Sequence, residues 1–309
     1  MVEPRGPPGT DSLNAPSAVH YAPQRVALKN PSYEVLRRVF RKPPVILGTV
    51  LLAIMICSAV LAPVIAPFSP YVQGVGDPLQ GPSARHLFGT DQFGRDVFSR
   101  VVHGGRISLQ VGLIAVAIGG SAGLMFGCAA GYVGDWTDEV VMRFVDIMLA
   151  FPGILLALAI VILLGPGVYN LMIAVGIGTI PTMARVVRAS VLEVKTRDYV
   201  AAARALGVSD AGILRRHILP NILAPFTVLV TLDVATAILS STSLSFLGIG
   251  TQPPSAEWGL MLTDARNFLR DAWWVGMFPG LAITITVVGI NLLGDGLRDA
   301  FDPRLRGTQ

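Results

Sequence analysis

The chain has 309 residues, 52% of them hydrophobic and 14% charged, whereas a soluble domain of this size carries roughly a quarter charged side chains; lipid is its main solvent. The formal net charge of +4 comes from basic residues dispersed between apolar stretches with no aromatic-interleaved patch, which excludes nucleic-acid binding. Its two cysteines, Cys57 and Cys128, both lie in apolar stretches, which excludes a disulfide framework and a cysteine metal site.

Residues 1–31 are rich in Pro, Ser and Gly and lack apolar periodicity, the composition of a disordered tail. From 32 to 42, apolar Val35, Leu36, Val39 and Phe40 alternate with basic groups, as in a short amphipathic helix lying on an anionic membrane surface. A bilayer core needs roughly 20 apolar residues per helical crossing. Six windows meet that need, at about 45–67, 107–131, 144–164, 168–183, 222–248 and 273–293. The expected fold class is therefore all-α, a polytopic membrane protein with six transmembrane helices. Three divisions follow: the tail (1–31), the amphipathic helix with the first span and an outer loop (32–106), and a core of five spans (107–309).

Basic residues are retained on the cytoplasmic side of a membrane. With both ends on one face, that face collects 18 Lys and Arg residues against 6 on the other. Both termini are accordingly expected in the cytoplasm. In the outer loop, Val97, Phe98, Val101 and Val102 form a stripe that predicts a surface helix over the outer mouth, with Asp96 and Arg100 spaced for an i,i+4 pair. Gly119, Gly123, Gly127 and Gly131 recur every four residues in the second window and predict a close helix-packing face. Pro152, Pro181 and Pro279 each interrupt a span's hydrogen-bond ladder and allow a bend.

The search for reactive chemistry is negative. A phosphate-cradling loop needs GxxxxGK[ST], yet none of Lys29, Lys42 and Lys195 follows a glycine. The histidines 20, 86, 103 and 217 lack metal-ligand spacing. GIGTIP and GIGTQP lack the final glycine of a dinucleotide fingerprint, and GxSxG does not occur. The expectation is a chain with no cofactor or metal of its own and no enzymatic role.

Between the fourth and fifth windows lies RDYVAAARALGVSDAGILRRHILPNILAP. A mostly alanine helix runs to Leu206, Gly207 stops it, and Ser209 caps a second short helix. This segment, about 195–221, resembles the docking loop of importer-type ABC permeases, in which Glu-Ala-Ala is followed after three residues by Gly and later by an Ile-x-Leu-Pro ending. The alanine pair falls on Ala202 and Ala203, the glycine on Gly207, and the ending on Ile218, Leu219 and Pro220. The acidic position is Ala201, a departure that removes any salt bridge from that site. Arg204, Ala205 and Asp210 complete the expected ATPase-docking surface.

Three further strings, FGTDQFGRDVFSR from Phe88, LSFLGIGTQPPSAEWG from Leu244 and LLGDGLRDAFDPRLR from Leu292, are similar to the C-type permease of dipeptide, oligopeptide and nickel importers. The resemblance covers nearly the whole chain and implies a type I ABC importer permease fold in a bacterial inner membrane. It also implies partners: a second homologous permease, two ATP-binding subunits or domains that carry ATP and magnesium, an extracytoplasmic peptide-binding protein, and membrane lipid. Dipeptides are the expected cargo; longer peptides, nickel chelates, haem and glutathione belong to the same family.

Two acids fall inside the windows. Asp146 sits three residues after Arg143, which would satisfy it. Asp233 lies mid-span with no basic residue nearby, and shares a helix face with Ser240. Relatives often carry an acid just before the LSFLG string, where this chain has Ser240 and Ser241. Asp233, Ser240 and Ser241 are therefore the candidate translocation pathway, with the carboxylate suited to a peptide's cationic amino terminus. The rival readings are an ion-coupled secondary transporter, which needs buried ion ligands and repeated spans, and an intramembrane protease, which needs paired acids or a Ser/His pair at one depth.

Overall fold

The computed structural model describes residues 42–301. The amphipathic helix, the tail before it and the end of the last family string lie outside them. Helix α1 (Pro43–Val60) begins on two prolines, which need no hydrogen-bond partner in a first turn. A short α2 (Ala62–Ile65) follows. An ordered loop then leads to α3 (Val97–Val133). After it come α4 (Asp135–Leu149), α5 (Gly153–Leu164) and α6 (Val168–Lys195). The chain continues through α7 (Asp198–Ala205), α8 (Asp210–Ile213) and a π-helical turn (Leu214–Ile218) into α9 (Leu219–Phe246). Helices α10 (Trp258–Ala265) and α11 (Trp274–Phe301) end the described chain. No strand occurs among the described residues.

Five helices are long and apolar enough to cross a bilayer without a break. The window expected at 144–164 is not a sixth straight one. It is divided between α4 and α5, which meet at 89° and are long and apolar enough to cross only as a bent pair. Pro152 causes the corner: it cannot donate a helical hydrogen bond and drives the residue before it out of helical geometry. The second window also differs from expectation. Its helix starts ten residues earlier, at Val97, so the apolar stripe of Val97 and Val101 forms the first turns of α3 and not a separate surface helix. At 37 residues, α3 is about 55 Å long, well beyond a hydrocarbon core of about 30 Å.

The glycine ladder of α3 closes on α6 of the same chain. A Cβ at Gly127 would lie 2.6 Å from both the Ala184 carbonyl oxygen and Val187 Cβ. One at Gly131 would lie 2.9 Å from Val191 Cβ, while Gly123 abuts Met183 and Gly119 abuts Thr179. Gly176 reciprocates from α6, with the Ala115 oxygen 2.8 Å from its own missing Cβ. The crossing of α1 over α11 works in the same way, through Gly48 against Leu292 and Gly289. Helix α9 packs on another side of α3, where Ile238 fills the space left by Gly112.

A lid of loop and short helix caps one end of this bundle. Asp91 accepts from Arg95 Nε at 2.6 Å, and Arg95 reaches Asp264 of α10 at 3.5 Å. Arg100 lies 3.6 Å from Asp91 and donates to the carbonyls of Pro70 and Ser255, each at 3.1 Å. The expected Asp96–Arg100 pair does not form. Asp96 bonds His86 Nδ1 at 2.9 Å and caps α3 by accepting from the Ser99 N–H at 2.8 Å. A residue at the helix start has its acceptor committed to the first turn's orphan N–H groups, which leaves Arg100 to the buried acids around it. Glu257 caps α10 by accepting from the Gly259 and Leu260 N–H groups. Burial pushes its carboxyl above the usual range, with those two bonds pulling the other way. Trp258 donates to the Val101 carbonyl at 2.8 Å, and Phe88 stacks on Phe278 of α11 at 3.8 Å between ring centroids. The two strings from Phe88 and Leu244 thus meet in the lid.

Three substitutions test this packing. Gly127→Leu should cost about 1–3 kcal/mol of overpacking strain and lower the thermal midpoint of the detergent-solubilised chain. Gly120→Ala, whose new methyl would meet Phe226 at an ordinary 3.6 Å, should leave the midpoint unchanged or raise it. Arg100→Ala leaves Asp91 and Asp264 to Arg95 alone and takes the donor from the Pro70 and Ser255 carbonyls; it should cost about 1–3 kcal/mol, seen as proteolytic opening of residues 66–96 before the bundle unfolds.

Candidate functional site

The helix-breaking signals at 195–221 have local causes in the structure. After α6 ends, Arg197 pairs with Glu193 at 2.6 Å and the chain turns into α7. Val200 and Ala203 face inward onto Val187, Val191, Ile213 and Ile218. Ala201, Ala202, Arg204 and Ala205 face outward, and Leu206 at the tip is 84% exposed. Gly207 holds φ +79°, where a side chain would be strained, and lets the chain reverse. Ser209 then caps α8 by accepting from the Gly212 N–H at 3.3 Å.

The segment is anchored to the bundle by residues from remote helices. Asp210 accepts from the Tyr132 hydroxyl at 2.6 Å, Arg204 approaches Asp210 at 3.9 Å, and Lys195 donates to the Tyr132 carbonyl at 2.7 Å. Tyr132 and Lys195 carry no motif, so only three-dimensional proximity could identify them. Of the residues predicted for docking, Ala201, Ala202, Arg204, Ala205, Gly207 and Asp210 share the exposed side, while Ala203 is turned into the core at 6% exposure. Leu206, which no motif singled out, is the most prominent apolar group there. From Asp210 to Phe246 the helical backbone continues without a sharp bend; the π-helical turn only widens it locally.

Along α9, Asp233 is the only ionisable side chain. It is half-buried and makes no ion pair or hydrogen bond among the described residues. Thr231 does not serve it, since that hydroxyl donates to the Thr227 carbonyl at 2.9 Å. Ser240 lies on the same face as expected, but Ser241 does not: it is 1% exposed and donates to the Ile238 carbonyl at 2.9 Å. Thr236, exposed, and Ser243, half-buried, extend the Asp233–Ser240 face. The i, i+3, i+7, i+10 spacing of these four would have found them in the sequence. Asp146 belongs elsewhere. It pairs with Arg185 of α6 at 2.7 Å, not with Arg143, because α4, which ends just before the Pro152 corner, lies along α6. Asp138 and Arg188 clamp the same two helices at 2.5 Å.

A cleft of ≈ 900 Å³ opens between α6, α9 and α11. Glu193, Tyr199, Asn221 and Arg298 line it along with Leu229 and Leu232. Leu229 is one turn from Asp233 on the same face of α9, so the cleft ends beside the polar residues.

Residues 123–307 match the model of the binding-protein-dependent transport system inner membrane component, and residues 30–82 match the N-terminal transmembrane domain of oligopeptide transport permease C. The chain is 43% identical to the dipeptide transport system permease protein DppC of Alkalihalophilus pseudofirmus over 98% of its own length and 96% of the relative's. It is 47% identical to a putative peptide transport system permease of Brucella suis, covering 90% and 94%. It is also 46% identical to the glutathione transport system permease GsiD of Escherichia coli, covering 91% and 93%. A solved amino acid ABC transporter chain shares the fold with a TM-score of 0.50 at 18% identity, over 66% of this chain and 94% of that one. The residues that pack the lid, the glycine seam and the exposed α7 turn thus belong to a recognised architecture, and the chain is a member of the family of binding-protein-dependent transport system inner membrane components.

Proposed function

We propose that this chain is a permease subunit of an ATP-driven peptide importer, with dipeptides as the cargo, and that α7 with its Gly207 turn receives the force of ATP hydrolysis. The observation that carries this reading is the exposed apolar tip of Ala202, Ala205 and Leu206, one turn of chain before the continuous helical backbone from Asp210 to Phe246. An apolar knob at a helix turn is suited to a groove on a partner. The rod behind it would carry displacement at the tip to the middle of the spanning bundle. Identity of 43–47% to peptide, dipeptide and glutathione permeases along nearly the full length supports the cargo class.

In this reading the tip and both termini face the cytoplasm, and the lid faces outward toward a peptide-binding protein. A second homologous permease supplies the other half of the pathway. Two ATP-binding subunits or domains hold ATP and magnesium, and this chain contributes movement and a conduit, without a cofactor or reaction of its own. The membrane is the bacterial inner membrane.

The decisive measurement is peptide-stimulated ATP hydrolysis by the reconstituted complex. Ala202→Glu and Leu206→Asp place a charge where the partner groove closes, with no effect on the chain's own core. Each should reduce stimulation roughly tenfold or more, since a buried unpaired charge is costly, while the complex still inserts. Ala201→Glu, at the edge of the same surface, should be tolerated. Full stimulation in both the Ala202→Glu and the Leu206→Asp complexes would remove the coupling role from α7.

A further inference from the structure

We infer that Asp233, Thr236, Ser240 and Ser243 form a polar track on α9 that receives an extended peptide by its free amino terminus. The inference rests on the peptide reading above and adds the groups that touch the cargo. Three features of the structure support it.

The first is the isolation of Asp233. An ionisable group at membrane depth is retained only where it meets a partner or a wet cavity, and no partner exists among the described residues. The acids that flank the bundle are met within the chain: Asp138 and Asp146 by arginines of α6, and Asp91 and Asp264 by arginines of the lid. Asp233, in the middle of its span, is left to complement a cation brought from outside the chain.

The second feature is the row of hydroxyls. Thr236, Ser240 and Ser243 follow Asp233 at successive turns and stay within one quarter of the helix circumference. The hydroxyls of Thr236 and Ser240 make no hydrogen bond among the described residues, unlike Thr227, Thr231 and Ser243, which donate to their own helix. A lipid-facing side of a helix has no use for free hydroxyls, whereas a peptide backbone offers an amide and a carbonyl per residue. From Asp233 to Ser243 the track is about 15 Å long, the length of roughly four extended residues. Dipeptides and somewhat longer peptides both fit along it.

The third is continuity. The cleft between α6, α9 and α11 reaches Leu229, which stands on the track's face one turn from Asp233. A peptide leaving the carboxylate would enter this cleft, whose far rim carries Glu193, Tyr199 and Asn221. Because the site has one carboxylate and otherwise hydroxyls, it would hold the amino terminus weakly and place no demand on side chains.

The test uses the full complex in proteoliposomes with this chain in a Cys57→Ser, Cys128→Ala background. Single cysteines replace Thr236, Ser240, Ser243 and, as a buried control, Ser241. A water-soluble maleimide should label the first three and not the fourth, and trialanine should protect the labelled positions during turnover. In parallel, Asp233→Asn should lower trialanine uptake at sub-saturating peptide roughly tenfold, the size of one charge-assisted hydrogen bond, while Asp233→Glu retains uptake. Failure of the track cysteines to label would show that lipid or the second permease covers this face and would overturn the inference. So would wild-type uptake by the Asp233→Asn complex, or its failure to assemble, which would make Asp233 a contact between permeases. Absence of trialanine uptake by the wild-type complex would instead overturn the peptide reading, and the labelling pattern would still report whether the face lines an aqueous path.

Discussion

Close approach of two helix backbones, α3 and α6, organises this molecule. In a bilayer, apolar side chains gain nothing by leaving lipid for one another, so helices associate through van der Waals fit and polar contacts. Glycines at 119, 123, 127 and 131 provide that fit along α3, and Gly176 returns it from α6. The consequences radiate from this seam. The first turns of α3, rising beyond the crossing, present Val97, Val101 and Arg100 to the lid. The far end of α6 delivers Lys195 to Tyr132 and sets α7 in place. Helix α9 uses yet another side of α3, with Phe226 and Val230 beside Gly120 and Ile238 against Gly112.

Charge is distributed to match. Buried ion pairs are weak contributors to net stability, yet losing one partner is severe; the lid therefore depends on its whole set of Asp91, Arg95, Arg100 and Asp264 being present together. At the other end the pairs Asp138–Arg188 and Asp146–Arg185 tie α4 to α6 with partly or fully exposed groups, which water screens. Between these two polar zones, α9 holds one carboxylate. The lid is thus built to stay closed as a unit, the α4–α6 pairs can adjust, and Asp233 is left available.

Much of this was legible in the sequence because a membrane imposes few solutions. Length and apolarity located the crossings, and a four-residue glycine interval revealed the face that packs, though not that its partner was α6 of the same chain. Gly207 and Ser209 marked the α7–α8 turn through backbone rules that act locally. What escaped depends on non-local geometry. Pro152 was visible as a kink, but the 89° corner also needs α4 to find Arg185 and Arg188 some forty to fifty residues ahead. That same corner took Asp146 away from Arg143. Asp96 and Arg100 had suitable spacing, yet each found a better partner in a loop whose path no periodicity describes. Ser241 differs from Ser240 by one step of about 100° around the helix, enough to bury it. Ala203 was turned inward in the same way while Ala202 stayed out. The family strings gave the architecture and not the side-chain pairing inside it.

The α4–α5 corner bears on how the chain enters the membrane in the first place. Helix α5 has 12 residues and is about 18 Å long, too short to bridge the hydrocarbon by itself, and α4 carries acids that repel it from lipid. Only the two together are long and apolar enough to cross. Their arginine partners lie on α6, which emerges from the ribosome afterwards. The ion pairs that hold the corner can therefore close only after residues up to Arg188 have been made, so the bent place of the segment from 135 to 164 is fixed late in synthesis.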